Sequence, residues 1–209
     1  MTFGFLGFTF AIQTYLNQMM KNNRTNILLA AGLILLAVVV RIVNYELHIY
    51  NLAPVAALGL FSGSILKNKR IAYLLPLLAM FVSDAYIQLF TPMQGFYDIS
   101  QFFVYGAMAI ITFMGTTMKN NNAIRVAGYS IAGSAIFFVL SNFGTYLTGL
   151  WGYGFEGLTT TYLMALPFYT KEGTSFFANT FIGDLVFSGL LFGAYAVLKQ
   201  AISGKVARA

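Results

Sequence analysis

Apolar residues along this chain come in long continuous runs rather than in alternation with polar ones. Residues 27–45, 52–66, 71–90, 99–118, 123–147 and 175–198 are six such runs, separated by short polar stretches. A helix needs about 20 apolar residues to cross the hydrocarbon of a bilayer, and five of the runs have that reach. The second, at about 15 residues, falls short, and is expected either to be extended by neighbouring turns or to line a cavity. A closed β-barrel also satisfies every backbone group in lipid, but its strands alternate apolar and polar positions, which these runs do not. The pattern predicts an all-α integral membrane protein, a bundle of six transmembrane helices.

The basic residues give the bundle a direction. Lys21 and Arg24 precede the first run, Lys67, Lys69 and Arg70 follow the second, Lys119 and Arg125 follow the fourth, and Lys199, Lys205 and Arg208 follow the sixth. With six crossings all of these fall on one side. The other three connections hold Glu46, Asp98, Glu156, Glu172 and the single base Lys171. Basic connections stay cytoplasmic, so both termini are expected inside, and an extra or missing helix would destroy the alternation.

Composition agrees: of 209 residues, 58% are hydrophobic and only 9% charged, with mean hydropathy +0.74. A soluble domain carries about 25% charged residues. No connection is long enough for a separate soluble unit, so residues 21–209 are read as one transmembrane domain. Residues 1–20 are apolar and aromatic but lack a basic start or a small-residue cleavage site, which argues against a signal peptide. They form either an amphipathic interfacial helix or an extension upstream of a true start at Met19 or Met20. The net charge of +6 is scattered between apolar runs, a topological pattern that excludes a nucleic-acid partner. Cysteine is absent, so no disulfide, thiolate metal site or thiol nucleophile exists.

Catalytic patterns are missing too. There is no HExxH, GxSxG or phosphate-binding glycine loop, and the lone His48 sits in a connection without companion ligands. Neither a catalytic residue, a metal site nor a cofactor is expected, and the protein is read as a non-enzyme. The informative residues are polar ones inside the runs: Arg41, Asp84, Asn142, Asn179 and Asp184. An ionised side chain at the bilayer centre costs about 2.5–3.5 kcal/mol on insertion scales, so three of them call for pairing or water. Counted at about 1.5 Å per residue from the outer ends, Arg41 lies roughly 6 Å deep, Asp84 about 9 Å and Asp184 about 13 Å. Thr180, Asp184 and Ser188 share one face of the sixth helix, and Ser134, Ser141 and Thr145 beside Asn142 form a similar stripe on the fifth. Two readings stand. Arg41 pairs with Asp84 or Asp184 as static glue between helices, or the carboxylate left over holds a proton, a cation or a basic group of a ligand.

The longest connection, residues 148–174, combines Gly149, Gly152, Gly154 and Gly157 with Trp151, Tyr153, Phe155, Tyr162, Phe168 and Tyr169. Residues 158–166, before Pro167, predict a short helix lying on the bundle, either a lid over an outward pocket or part of an interfacial aromatic belt. At the start of the second run, Asn51 and Pro54 read as an N-cap and an early helical proline. Gly59 with Gly63, and Gly189 with Gly193, are small-residue pairs that permit close helix packing.

The stretch Asn51-Leu52-Ala53-Pro54-Val55-Ala56-Ala57-Leu58-Gly59-Leu60-Phe61-Ser62-Gly63, then Pro76 with Ser83-Asp84, Ser141-Asn142-Phe143-Gly144 and Ala165-Leu166-Pro167-Phe168, resembles an uncharacterised family of small bacterial membrane proteins. That family is in turn similar in size, span count and orientation to the substrate-binding S components of energy-coupling factor transporters. The resemblance implies a multi-pass protein of the bacterial cytoplasmic (inner) membrane that binds and takes up a small vitamin-like solute through an outward-facing pocket. Arg41, Asp84, Asn142, Trp151 and Asp184 are then the expected substrate-binding residues, and the solute is expected to be partly aromatic or cationic. Membrane lipid, the solute and either other membrane subunits or an energy-coupling module are the implied partners. The Ala-xxx-Ala pair by which S components dock to their coupling subunit is absent, since Ala30, Ala31 and Ala37 do not form that spacing. The alternative is an accessory, structural subunit of a larger membrane complex with no ligand of its own.

Overall fold

In the computed structural model, which describes residues 31–49, 52, 54–166 and 176–206, all regular structure is helical. Helix α1 covers residues 31–46, α2 Val55–Ile65, α3 Lys69–Phe90, α4 Ser100–Thr117, α5 Ala123–Leu147, α6 Gly154–Met164 and α7 Phe176–Val206. Among the described residues, α3, α5 and the Ala178–Val197 part of α7 are long and apolar enough to cross a membrane, and α2 is a shorter apolar helix. Residues 1–20, Asn51 and the part of the α5–α7 connection at 167–175 lie outside the described residues.

Two starts follow from asparagine caps. Asn68 accepts from the backbone of Arg70 at 3.1 Å and Ile71 at 3.4 Å, so α3 begins two residues before its apolar run. Asn122 does the same for Arg125 at 2.9 Å, opening α5 where its run predicts.

Of the two expectations for the second run, extension or lining a cavity, the structure takes the second: Val55 and Ala56 of α2 line a cavity. Rather than drawing length from neighbouring turns, α2 has 11 residues. At about 1.5 Å per residue it reaches about 16 Å, roughly half the ~30 Å hydrocarbon thickness. Every residue from Val55 to Gly63 is buried, because α2 packs on α3, α4, α5 and α7, and Leu58 meets Ala37 and Val38 of α1. A helix enclosed on all sides has no polar face, which explains why its sequence shows no amphipathic period.

Close approach makes that central seat possible. A Cβ on Gly63 would overlap the Thr112 carbonyl, and one on Gly115 would overlap the Leu60 carbonyl, so α2 and α4 meet backbone to backbone. Gly189 and Gly193 behave otherwise: nothing lies within 4 Å of either Cβ position, so that pair makes no close packing within the described chain. Pro76 in α3 has no N–H and frees the carbonyl of Ala72. Ser62 of α2 donates to that carbonyl at 2.8 Å, restoring the bond the proline removed.

The connection between α5 and α7 contains the expected short helix, shifted towards its start: α6 begins at Gly154 rather than at residue 158. Gly149, Gly152 and Gly154 take left-handed φ of 72°, 81° and 77°, which turns the chain back on α5. There Tyr162 donates to the Val139 carbonyl at 2.7 Å, and its ring lies 5.7 Å from that of Phe138.

Gly63→Ala or Gly115→Ala is expected to lower stability by about 1–3 kcal/mol, since a facing carbonyl has to move. Gly189→Ala is expected to change it by no more than about 0.5 kcal/mol. Thermal unfolding of the three variants in detergent checks the contrast; a Gly189→Ala loss as large as that of Gly63→Ala would contradict the packing.

Candidate functional site

Because α2 stops short, a hollow opens at its N-terminal end. It has two lobes. The first, about 790 Å³ including its mouth, is lined by Arg41, Tyr45, Val55, Ala56, Tyr97 and Asp184 among others. The second, about 1000 Å³, runs towards α5 along Ser100, Ser141, Asn142 and Thr145. Arg41, Met80, Tyr97, Phe137 and Thr180 border both, so the lobes form one cleft.

Arg41 stands at the junction, held from behind. Its Nη1 lies 2.5 Å from Asp84 Oδ1 and donates to Ser83 Oγ at 2.5 Å and to the Met80 carbonyl at 3.3 Å. Asp84 is fully buried. Its Oδ2 accepts from Gln101 Nε2 at 2.7 Å and Tyr105 O–H at 3.0 Å, and the ionic contact with Arg41 is what Oδ1 has. One carboxylate thus ties α1, α3 and α4 together. Its charge is matched within the chain, and it sits behind Arg41 rather than on the cleft wall.

The other carboxyl has no such cation among the described residues. Asp184 is buried in α7, where Ser134 donates to Oδ2 at 2.7 Å and the Ala57 backbone N–H faces it. Ala57 lies in the first turn of α2, whose N–H groups have no partner within the helix, so Asp184 covers part of that end from a neighbouring element. Thr180, Asp184 and Ser188 form the buried stripe that their spacing predicts. Beneath Asp184, a narrow crevice too small to hold a water molecule is lined by Ser130, Gly133 and Ser188.

Of the residues singled out in the sequence, the fold therefore brings Arg41, Asp184 and Asn142 to the cleft wall and Asp84 directly behind it. Asn142 donates its Nδ2 to the Phe138 carbonyl at 2.8 Å, leaving its side-chain oxygen as an acceptor. Trp151 is placed elsewhere: it sits in the turn between α5 and α6, 44% exposed, and lines neither lobe. The aromatic ring over the cleft comes from Tyr97 instead. Gly95 packs on the Asp84 backbone and donates to Gln88 Oε1 at 2.9 Å, folding the α3–α4 connection inward. Partial burial holds the Tyr97 phenol above its ordinary pKa, with nearby Arg41 pulling it down and Asp84 pushing it up. Tyr97 therefore keeps its proton at neutral pH and can donate it.

Gln101 and Tyr105 were missed in the sequence, although their i, i+4 spacing puts two polar groups on one face of an apolar run. Among the described residues, no group of three or more His, Cys, Asp or Glu could hold a metal ion.

The chain belongs to DUF6580, a family of unknown function. The family model matches residues 21–206, so it takes in α1 to α7 and every residue of the cleft. No curated protein and no solved structure is matched.

Breaking one side of the buried pair strands the other charge. Arg41→Met or Asp84→Leu is expected to lower stability by about 3–5 kcal/mol, and the double substitution by clearly less than the sum. A double-mutant cycle on unfolding in lipid micelles checks this; strict additivity would mean that the pair is not coupled.

Proposed function

We propose that this protein binds a small vitamin-like solute in the two-lobed cleft and takes part in its uptake, in the manner of a transporter S component. In this reading the chain crosses the bacterial cytoplasmic membrane six times, through α1 to α5 and α7, with both ends in the cytoplasm. The cleft then faces outward, because its mouth lies at the end of the bundle whose connections carry four acids and the single base Lys171. The observation that carries the reading is Asp184: a buried carboxyl with no basic side chain paired to it among the described residues, on the wall of an open cleft. Static glue needs no opening, whereas a binding site does. Asp184 accepts a cationic or N–H group of the solute, Asn142 and Thr145 offer polar contacts in the second lobe, and Tyr45, Tyr97 and Phe137 supply flat apolar walls. Membrane lipid is its solvent, and an energy-coupling module or another membrane subunit is the partner that would drive release.

Native mass spectrometry of gently purified protein, with thermal shifts across a vitamin panel, tests this. A retained small molecule or a ligand-specific shift is expected. A fixed protein subunit with no small molecule and no shift would instead favour the accessory-subunit role. Asp184→Asn is expected to weaken binding at least about tenfold while the unfolding transition moves little. If it lowers stability and leaves affinity unchanged, Asp184 is glue.

A further inference from the structure

Arg41 commits only one of its nitrogens to the protein. A guanidinium has five N–H donors. All three contacts it makes among the described residues run through Nη1, and the side chain keeps 16% exposure at the point where both lobes meet. The edge formed by Nη2 and Nε is therefore left to the cleft, in a wall otherwise set by Met80, Tyr97 and Phe137. Gln101 and Tyr105 lock Asp84, Asp84 locks Nη1, and the plane of the guanidinium is fixed before any ligand arrives.

We propose that the solute is an acid, and that its carboxylate docks in the plane of this open edge of Arg41. The proposal rests on the solute-binding reading and names the substrate class for the same cleft. A planar fork with two parallel donors matches a carboxylate, and Arg is the side chain that provides it. Charge sets the limit. Among the described residues, Arg41 is the only cation lining the cleft and it is already matched by Asp84, so the site suits a monoanion and not a phosphate dianion. The first turn of α2 lends further positive potential, since Val55 and Ala56 line the same lobe and Pro54 makes no side-chain cap there. With Asp184 lining the same lobe and accepting an N–H or ammonium, the fitting molecule is a flat, apolar-bodied acid that also carries a donor nitrogen.

The test uses the full-length protein in lipid nanodiscs and four matched probes: benzoate, benzamide, benzylamine and para-aminomethylbenzoate. Both acids are expected to bind at least about tenfold more tightly than benzamide, by calorimetry or equilibrium dialysis. Arg41→Lys keeps a charge beside Asp84 but loses the planar fork, and is expected to remove that preference while the protein still unfolds cooperatively. Equal affinity for benzoate and benzamide in the unsubstituted protein overturns the proposal whether or not the variant folds. Benzylamine binding without benzoate binding also overturns it, and leaves solute binding at Asp184 standing. Where no probe binds, the small molecule retained in native mass spectrometry decides: one bearing an acid supports the proposal, one without an acid overturns it. No probe binding and no retained molecule overturns this proposal and the binding reading together.

Discussion

The central helix is too short for a membrane that α3, α5 and α7 are long and apolar enough to cross. About 16 Å of helix set beside α3, α5 and α7, which reach about 30 Å, leaves a hollow that no side chain of α2 can fill. Everything distinctive in the fold follows from where that hollow falls. Pro54 fixes the start of α2 and Asn68 the start of the next helix, so the missing length lies at the N-terminal end of α2. Arg41, Asp184 and Asn142 then border water-accessible space instead of packed hydrocarbon.

A short helix held at the centre has to be gripped without side-chain bulk, and the chain does so with backbone contact. Glycines at positions 63 and 115 let α2 and α4 touch, and Ser62 replaces the hydrogen bond that Pro76 removes from α3. The Arg41–Asp84 pair closes the other side, linking α1 to α3 and, through Gln101 and Tyr105, to α4. In a low-dielectric interior such a pair is costly to break and only modestly stabilising to form. Its value lies in fixing a guanidinium at the cleft, which a hydrophobic pair of the same volume could not do.

Much of this was legible in the residues. Continuous apolar runs placed α3, α4 and α5 within two residues, because helices in an apolar setting end where polarity begins. The pairing of Arg41 with Asp84 rather than Asp184 was one of two open options, since depth alone cannot say which helices are neighbours. Asp84, expected at the solute, lines neither lobe and instead holds Arg41, for the same reason. Trp151 drew notice as the single tryptophan in a long aromatic connection, yet left-handed glycines at 149, 152 and 154 carry that turn away from the cleft. Tyr97 takes the place at the cleft through a fold-back at Gly95, a tertiary contact that no periodicity announces.

The central claim is that the cleft is reached from outside and closed from within. The natural absence of cysteine makes this directly measurable. Single cysteines placed at Ser141 and Thr145 in the cleft, and at Asn122 at the opposite end of α5, can be challenged with a membrane-impermeant maleimide in right-side-out and inverted vesicles. Residues 141 and 145 are expected to label only in right-side-out vesicles, and residue 122 only in inverted ones. Labelling of the cleft positions solely in inverted vesicles, or in neither preparation, would contradict an outward-facing cleft.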